Sequence, residues 1–513
     1  MFIINERNPI GASFSFIHFN ASKNNKTTMG IPGFFGWIKR RYPKCVRRSK
    51  PKHTKIRRPD ALYLDMNALI HPACVGVTTD AQRFNNVEKL VRKIVDHTKP
   101  SQLLFLSIDG VAPMAKICHQ RNRRFLNAQE RKEGEWDTNQ ITPGTPFMSD
   151  LTCYLRGVFQ SWRPASEVIL SDSGVPGEGE HKILAFMRKH NGRYRQQVIF
   201  SPDADLVVLG LTLFQPEVWI TRLDHRHPNQ FWEFEIDELV SSLHQRFPVL
   251  VGHQTPESVV RDWVLLTFLG GNDFVPPVNN TNIGNNELDF WFESYQKYRV
   301  WYTTNFTRMD GRLNLNRFQH FLKFCLARNC RKPYPTTTAH IPPQELVKAW
   351  YWTLLYYFSG VPSWTYHYKH SHTAPSLKAL CTAHWQNPKF RLGAPYQPFE
   401  QLLTVLPPSS ASSCLPSSFG RVFKSDLKPF CPDKVEVLPR PGRADWDVTV
   451  KVPEVPAEMV KACVRKTLPL CSVSDRCRNR NERHVYRWRG PPKKKRRCVN
   501  HKNVDHEVSS TVQ

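Results

Sequence analysis

No cysteine in this chain has a partner at CxxC spacing, although thirteen cysteines are present. That tells against the paired knuckles of a zinc ribbon. An odd number of scattered thiols reads as reduced rather than as a disulfide framework. No run of about 18 apolar residues occurs, so no membrane-spanning helix is expected. The first 28 residues lack a clean apolar stretch (FIINERNPIGASFSFIHF is broken by Asn, Glu, Arg and Pro), so no secretory signal is expected and the chain is placed inside the cell. No internal repeat is visible. Acids are also in short supply: 44 Asp+Glu face 72 Lys+Arg, a net charge of +28. So basic a chain suits a polyanionic partner, and with no membrane segment that partner is nucleic acid.

Seven of the acids nevertheless fall in five short segments. They are Asp65 (ALYLDMN), Asp109 (LLFLSIDG), Glu178 and Glu180 (GEGEHK), Asp203 and Asp205 (VIFSPDAD), and Asp273 (GGNDF). Four of these segments read as the end of an apolar strand or the first turn of a helix. In a parallel α/β sheet the carboxyl ends of the strands open onto one crevice, so acids placed there converge. A lone strand-end Asp is more often a helix cap or turn former. Five such segments, two with acids at i and i+2, point instead to a metal site. Converging carboxylates need hard cations, Mg²⁺ or Mn²⁺, and two such ions are the usual machinery for cleaving a phosphodiester.

The pattern predicts strands at Ala61–Asp65, Gln102–Asp109, 168–171 and 197–201. Helices are expected near Asn86–His97, 113–133, Gly179–Lys189, 257–270 and 345–358. Strands alternating with helices imply a mostly parallel sheet covered on both faces. Residues 1–28 are read as a disordered extension, 29–285 as the α/β domain carrying the acids, and 286–345 as a helical linker. Residues 346–460 form a second, helical then loop-rich region, and 461–513 a basic, disordered tail.

Three further sets carry chemistry. In GVAPMAKICHQRNRRF, Lys116, Gln120, Arg123 and Arg124 fall at i, i+4, i+7 and i+8, one helical face. Three cations with a Gln suit a terminal phosphate, the planar guanidinium adding directional donors to its charge. His71 and Trp364 are candidates for stacking the bases of a single strand. His367, His370 and His372 read as a polar loop rather than a metal cluster. Eleven Lys/Arg lie between Arg476 and Arg497, and the final PPKKKRR (Lys493, Lys494, Lys495, Arg496, Arg497) has the composition of a nuclear import signal or nucleic-acid patch.

The segments MGIPGFFGWIKRRYP, LYLDMNALIH, FLSIDGVAPMAKICHQRNRRF, NQITPGTPFM, SDSGVPGEGEHKI, SPDADLVVLGL and FLGGNDFVPP together resemble the Xrn family of 5′→3′ exoribonucleases. The likeness continues more weakly through RLNLNRFQHFL, YYFSGVPSW and PFEQLLTVLP, from about Met29 to Trp446. It implies a PIN/flap-nuclease-like sheet, the seven acids as metal ligands, and a 5′-monophosphate pocket on Lys116, Gln120, Arg123 and Arg124. It also implies stacking on His71 and Trp364. The chain departs from the family in residues 1–28, which precede the usual MGIP start, and in TYHYKHSHTAP, where a second Trp and a YHYAP ending are usual. The long carboxyl-terminal modules of the family's cytoplasmic members are missing, so a compact, catalytic-core form is expected. The expected function is metal-dependent 5′→3′ degradation of single-stranded, 5′-monophosphorylated RNA to mononucleotides by a monomer, in the nucleus if PPKKKRR is read and in the cytoplasm otherwise. A flap-type endonuclease acting on DNA would use the same acids but would have to thread past a held 5′ end. An inactive RNA-binding scaffold would not need all seven.

Overall fold

The computed structural model describes residues 31, 33–49, 56, 58–224, 226–248, 255–302, 305–308, 310–328, 341–370, 373–439, 448–482 and 485–490. The expected extension 1–28 and the PPKKKRR run lie outside the described residues.

The first strands in chain order are β1 (Val46–Ser49), β2 (Ala61–Asp65), β3 (Leu103–Ser107), β4 (Glu167–Ser171) and β5 (Gln197–Phe200). β6 (Val218–Asp224) and β7 (His227–Glu235) follow. A separate ribbon, β8 (Val437–Pro439) with β9 (Val448–Val450), precedes β10 (Tyr486–Arg489). The main sheet runs β1-β7-β6-β5-β2-β3-β4-β10. Its five central strands, β6, β5, β2, β3 and β4, are parallel, while β7 and β10 run against their neighbours.

β2, β3, β4 and β5 are buried at every position, as parallel strands with helices on both faces must be. Alternate side chains divide between two cores. Leu62, Leu64, Leu104, Leu106, Val168 and Leu170 enter one, and Tyr63, Phe105, Ile169 and Ile199 the other. This is the expected mostly parallel α/β architecture, and it aims the carboxyl ends of β2, β3 and β5 at one edge.

The segment 286–345 is more than a linker. Helices Leu288–Trp301 and Leu315–Arg328 bring Trp291, Tyr295, Phe318 and Phe321 into the core on the Tyr63 face, together with helix Pro343–Ser359. A third core is built around helix Met114–Glu130, whose Ile117, Phe125 and Leu126 pack on Phe399, Leu402, Leu403 and Phe419. Arg121 fastens this wrapping: its guanidinium donates to the carbonyls of Pro453, Thr404 and Phe430.

The expectation of a disordered tail from 461 is overturned for residues 461–482 and 485–490. Helix Ala457–Thr467 places Val460, Cys463 and Val464 in the third core. β10 pairs antiparallel with β4, Tyr486 opposite Leu170 and Arg489 opposite Glu167. The charge count of this stretch hides an alternation: Tyr486 and Trp488 lean on the Leu62 core, and Arg487 and Arg489 both pair with Glu167, at 3.5 and 3.0 Å. A deletion from 476 therefore cuts into the sheet. Truncation after Gly490 should leave the thermal midpoint within a few degrees of the parent. Truncation before Ser472 should lower it by about 5 °C or more and promote aggregation, because β4 becomes a bare edge. Scanning calorimetry with light scattering compares the two.

Candidate active site

Six of the seven acids stand at strand ends or helix starts. Asp65 ends β2, Asp109 follows β3, and Asp203 follows β5. Glu178 and Glu180 stand at the start of helix Gly179–Lys189, Asp205 opens helix Asp205–Leu211, and Asp273 follows the turn Phe268–Gly270. The loop after β3 is pinned to the glutamate loop by two backbone hydrogen bonds, Gly110 N–H to the Gly177 carbonyl (2.9 Å) and Gly177 N–H to the Val111 carbonyl (2.8 Å). The approach is so close that a Cβ on Gly110 would sit 1.8 Å from the Val175 carbonyl oxygen. Glycine is required there.

Oxygens of Asp65, Asp109 and Glu180 lie within 4.8 Å of one another, and ligand atoms of Glu178, Glu180 and His181 do the same. Ser201 Oγ donates to Asp65 Oδ2 at 2.9 Å, and Gly179 N–H to Asp109 Oδ1 at 2.6 Å. Lys116 ties in Asp273: its Nζ is 2.7 Å from Glu178 Oε2 and 2.9 Å from Asp273 Oδ2. The electrostatics bind the set together. Burial, then the charges of Asp109 and Asp203, push the Asp65 carboxyl well above its ordinary range. Burial, then Glu178, does the same to Glu180, and burial, then Asp203 and Asp273, to Asp205. Asp203 is pushed up to about 6, chiefly by burial. Asp273 goes the other way, because Lys116 and His119 outweigh its burial. Lys116 is held well above its ordinary value, since Asp273, Glu178 and Glu180 outweigh the cost of burying an ammonium.

Such a cluster fits a cation. Asp65 Oδ1 and Asp205 Oδ1 are buried with no hydrogen-bond partner among the described residues, a costly state for carboxylate oxygens. Gly179 keeps the space open, since a Cβ there would lie 3.1 Å from Asp109 Oδ1 and 3.3 Å from Asp65 Oδ1. Apart from the neighbouring His181, the donors are oxygens, which suits a hard divalent ion.

The basic helix stands against this cluster with its residues in two groups. Lys116 lies among the carboxylates rather than apart from them. Gln120 and Arg124 are buried further along, and Arg124 donates to Thr142 Oγ1. Arg123 is half-buried, and its charge reaches Asp203, Asp273 and His71. Burial, then Arg123 and Arg124, lowers His71 to about 3, so its ring is neutral and suited to lie against a base. Trp364 is half-buried at the head of the same helix, where its carbonyl accepts from Met114 N–H at 2.9 Å.

Tyr356 escapes sequence reasoning. It lies on helix Pro343–Ser359 of the second region, and its hydroxyl donates to Glu178 Oε1 at 2.7 Å while His181 stacks on its ring, centroids 3.7 Å apart. Within the aromatic run ELVKAWYWTLLYYF it reads as core, and only the structure separates it from its neighbours. His181 and Ser201 could have been found, as neighbours of Glu180 and of the SPDAD segment. Tyr356→Phe should retain the fold but leave a buried carboxylate oxygen unsatisfied, about 1–3 kcal/mol. The expected signature is a higher divalent-ion concentration for half-maximal activity, measured by metal titration at saturating substrate.

Comparison with known proteins places these features in one family. Residues 29–224 match the model described as XRN 5'-3' exonuclease N-terminus, and residues 337–511 match that of the Xrn1 helical domain. The 5'-3' exoribonuclease 1 of Homo sapiens is 25% identical over 90% of this chain and 35% of its own length. The 5'-3' exoribonuclease 2 of Eremothecium gossypii is 30% identical over 56% of this chain and 40% of its own length. The chain thus spans little more than a third of the curated relatives it matches. Among solved structures, the catalytic core of Rad2 in complex with DNA substrate overlays 67% of this chain and 90% of that one at 12% identity, with a TM-score of 0.35, too loose to carry an argument. The second match begins where helix Pro343–Ser359 is about to deliver Tyr356 to Glu178, and runs past β10 on the sheet that holds the acids. With both of its characteristic parts present, the chain belongs to the Xrn family.

Proposed function

We propose that this chain is a 5′→3′ exoribonuclease that removes mononucleotides from single-stranded RNA bearing a 5′-monophosphate, using two Mg²⁺ ions, with Mn²⁺ as a substitute. The observation that carries the reading is the juxtaposition of the carboxylate cluster with the half-enclosed basic face of helix Met114–Glu130. A hydrolytic cluster beside a cation pocket that ends in buried side chains favours a chain terminus over an internal phosphate.

Asp65, Asp109, Glu178, Glu180, Asp203, Asp205 and Asp273 would hold the ions, which when bound activate water and neutralise the leaving oxygen. The chain's own residues do the rest. Gln120, Arg123 and Arg124 grip the terminal phosphate, the buried Gln and Arg fixing its position and Arg123 matching its charge. His71 and Trp364 face the first bases, the neutral imidazole stacking without sequence preference. Lys116 sits between Glu178 and Asp273, where its ammonium lowers the repulsion among the acids and orients both carboxylates. With Gln120 and Arg124 buried behind it, a phosphate held there would leave little room for a triphosphate or a cap.

The test is one gel series with labelled RNA carrying a 5′-monophosphate, a 5′-hydroxyl or a 5′-triphosphate, with Mg²⁺ or EDTA, beside a DNA flap of the same length. Mononucleotide release from the monophosphate substrate alone, abolished by EDTA, is the expected result. Cleavage of the flap with RNA untouched would point to an endonuclease. Binding without cleavage of any substrate would point to a scaffold.

A further inference from the structure

Helix Met114–Glu130 has a second chemically loaded face. At about 100° per residue, Cys118 lies about 200° around the helix from Lys116, turned away from the acids. There it meets His367, from the loop after Trp364, and Glu454, from the segment between β9 and helix Ala457–Thr467. The Sγ, an imidazole nitrogen and a carboxylate oxygen of these three residues lie within 4.8 Å of one another. His367 Nε2 is 3.1 Å from both Glu454 oxygens. One residue before Glu454, the Pro453 carbonyl accepts from Arg121 of the same helix at 3.1 Å, so the segment carrying Glu454 is fixed in place.

We propose that Cys118, His367 and Glu454 form a second cation site, chemically distinct from the acid cluster, that binds Zn²⁺ with water completing a tetrahedron. In tetrahedral Zn²⁺ sites the donor atoms stand roughly 3.3–3.8 Å apart, so small side-chain movements suffice from this arrangement. The thiolate and the carboxylate together neutralise a doubly charged ion. A sulfur–nitrogen–oxygen donor set selects Zn²⁺ over Mg²⁺, which wants six oxygens in an octahedron. The carboxylate cluster has no sulfur, so the two sites divide the metals by softness. Half-buried Cys118 and His367 leave room for the water, and exposed Glu454 gives an entry path. The three ligands belong to three segments, so the ion would clamp the second region onto the helix whose opposite face carries Lys116, Gln120, Arg123 and Arg124.

Co²⁺ is the probe, titrated into the full chain under a non-thiol reductant. With Mg²⁺ saturating the acid cluster, the expected result is one equivalent bound with a thiolate-to-cobalt absorption band and intense tetrahedral d–d bands, both displaced by Zn²⁺. Cys118→Ser should abolish the thiolate band, and His367→Asn and Glu454→Gln should each weaken Co²⁺ binding by tenfold or more. Asp205→Ala should leave the band unchanged. With Mg²⁺ again saturating the acid cluster, Zn²⁺ should raise the thermal midpoint of the parent and not of Cys118→Ser. Cys118→Ser is conservative at a half-buried position, and the other two variants probe the site independently should it fold poorly. Absence of the thiolate band in the parent, or an equal band in Cys118→Ser, overturns the proposal and leaves a His–Glu ion pair only.

Discussion

Asp205→Ala should lower turnover on 5′-monophosphorylated RNA by about 10³-fold or more while RNA affinity stays equal or rises, since a metal ligand acts in the transition state and a lost negative charge relieves repulsion of the phosphates. The variant should also change the protein without substrate. Asp205 is half-buried, and desolvation of its carboxyl, with the charges of Asp203 and Asp273, holds it well above the ordinary range. A carboxyl raised in the folded state contributes stability that is complete below its unfolded value and is lost as pH rises through its folded one. That contribution falls as pH rises from the unfolded value towards the folded one, so in metal-free protein Asp205→Ala should gain in thermal midpoint relative to the parent as pH is raised. Mg²⁺ should raise the parent's midpoint, and more at about pH 8 than at about pH 5.5, because Asp203, raised to about 6, and its neighbours must lose protons to bind it. The shift should shrink in Asp205→Ala. Turnover within tenfold of the parent, or an undiminished Mg²⁺ shift, would remove Asp205 from the metal set.

Arg123→Ala should collapse end selection. The ratio of kcat/KM for 5′-monophosphate over 5′-hydroxyl RNA is expected to fall by about 10–100-fold, the worth of a charge-assisted hydrogen bond to a phosphate. Affinity for long RNA should barely change, because most of it comes from backbone contacts along the strand, and the salt slope of binding should drop by about one. Lys116 should behave differently although it shares the helix face. Its ammonium lies between Glu178 and Asp273, so Lys116→Ala should slow cleavage of both ends alike. Steady-state kinetics on the matched RNA pair separates the two residues. Equal loss on both ends with Arg123→Ala would sink the pocket assignment.

Six of the acids were legible because they end an apolar strand or open a helix, positions where topology alone forces convergence; Asp273, after the turn Phe268–Gly270, has no such strand or helix to place it. The basic helix was legible as a face, but not the split within it: nothing in the spacing distinguishes Lys116, which turns to the carboxylates, from Gln120 and Arg124. The wrapping of the second region had no local signal. Arg121 meets Thr404, Phe430 and Pro453 across some 300 residues, and Tyr356 reaches Glu178 from a helix whose aromatic neighbours all enter the core. Cys118 and Glu454 are unremarkable in their own segments, and His367 read as part of a polar loop. β10 was hidden by composition, because a four-residue alternation is outweighed by the charges around it.

The place of β10 has a consequence for synthesis. β4 waits for its outer neighbour until about 300 more residues have been translated. At 5–20 residues per second that is roughly 15–60 s during which a buried-type strand, apolar along most of its length, presents open hydrogen-bonding groups at the ribosome exit. The nascent chain is most exposed to mispairing and chaperone capture in that interval. Mutations that slow or weaken the final strand should therefore reduce yield in the cell more than they reduce the activity of the molecules that finish folding.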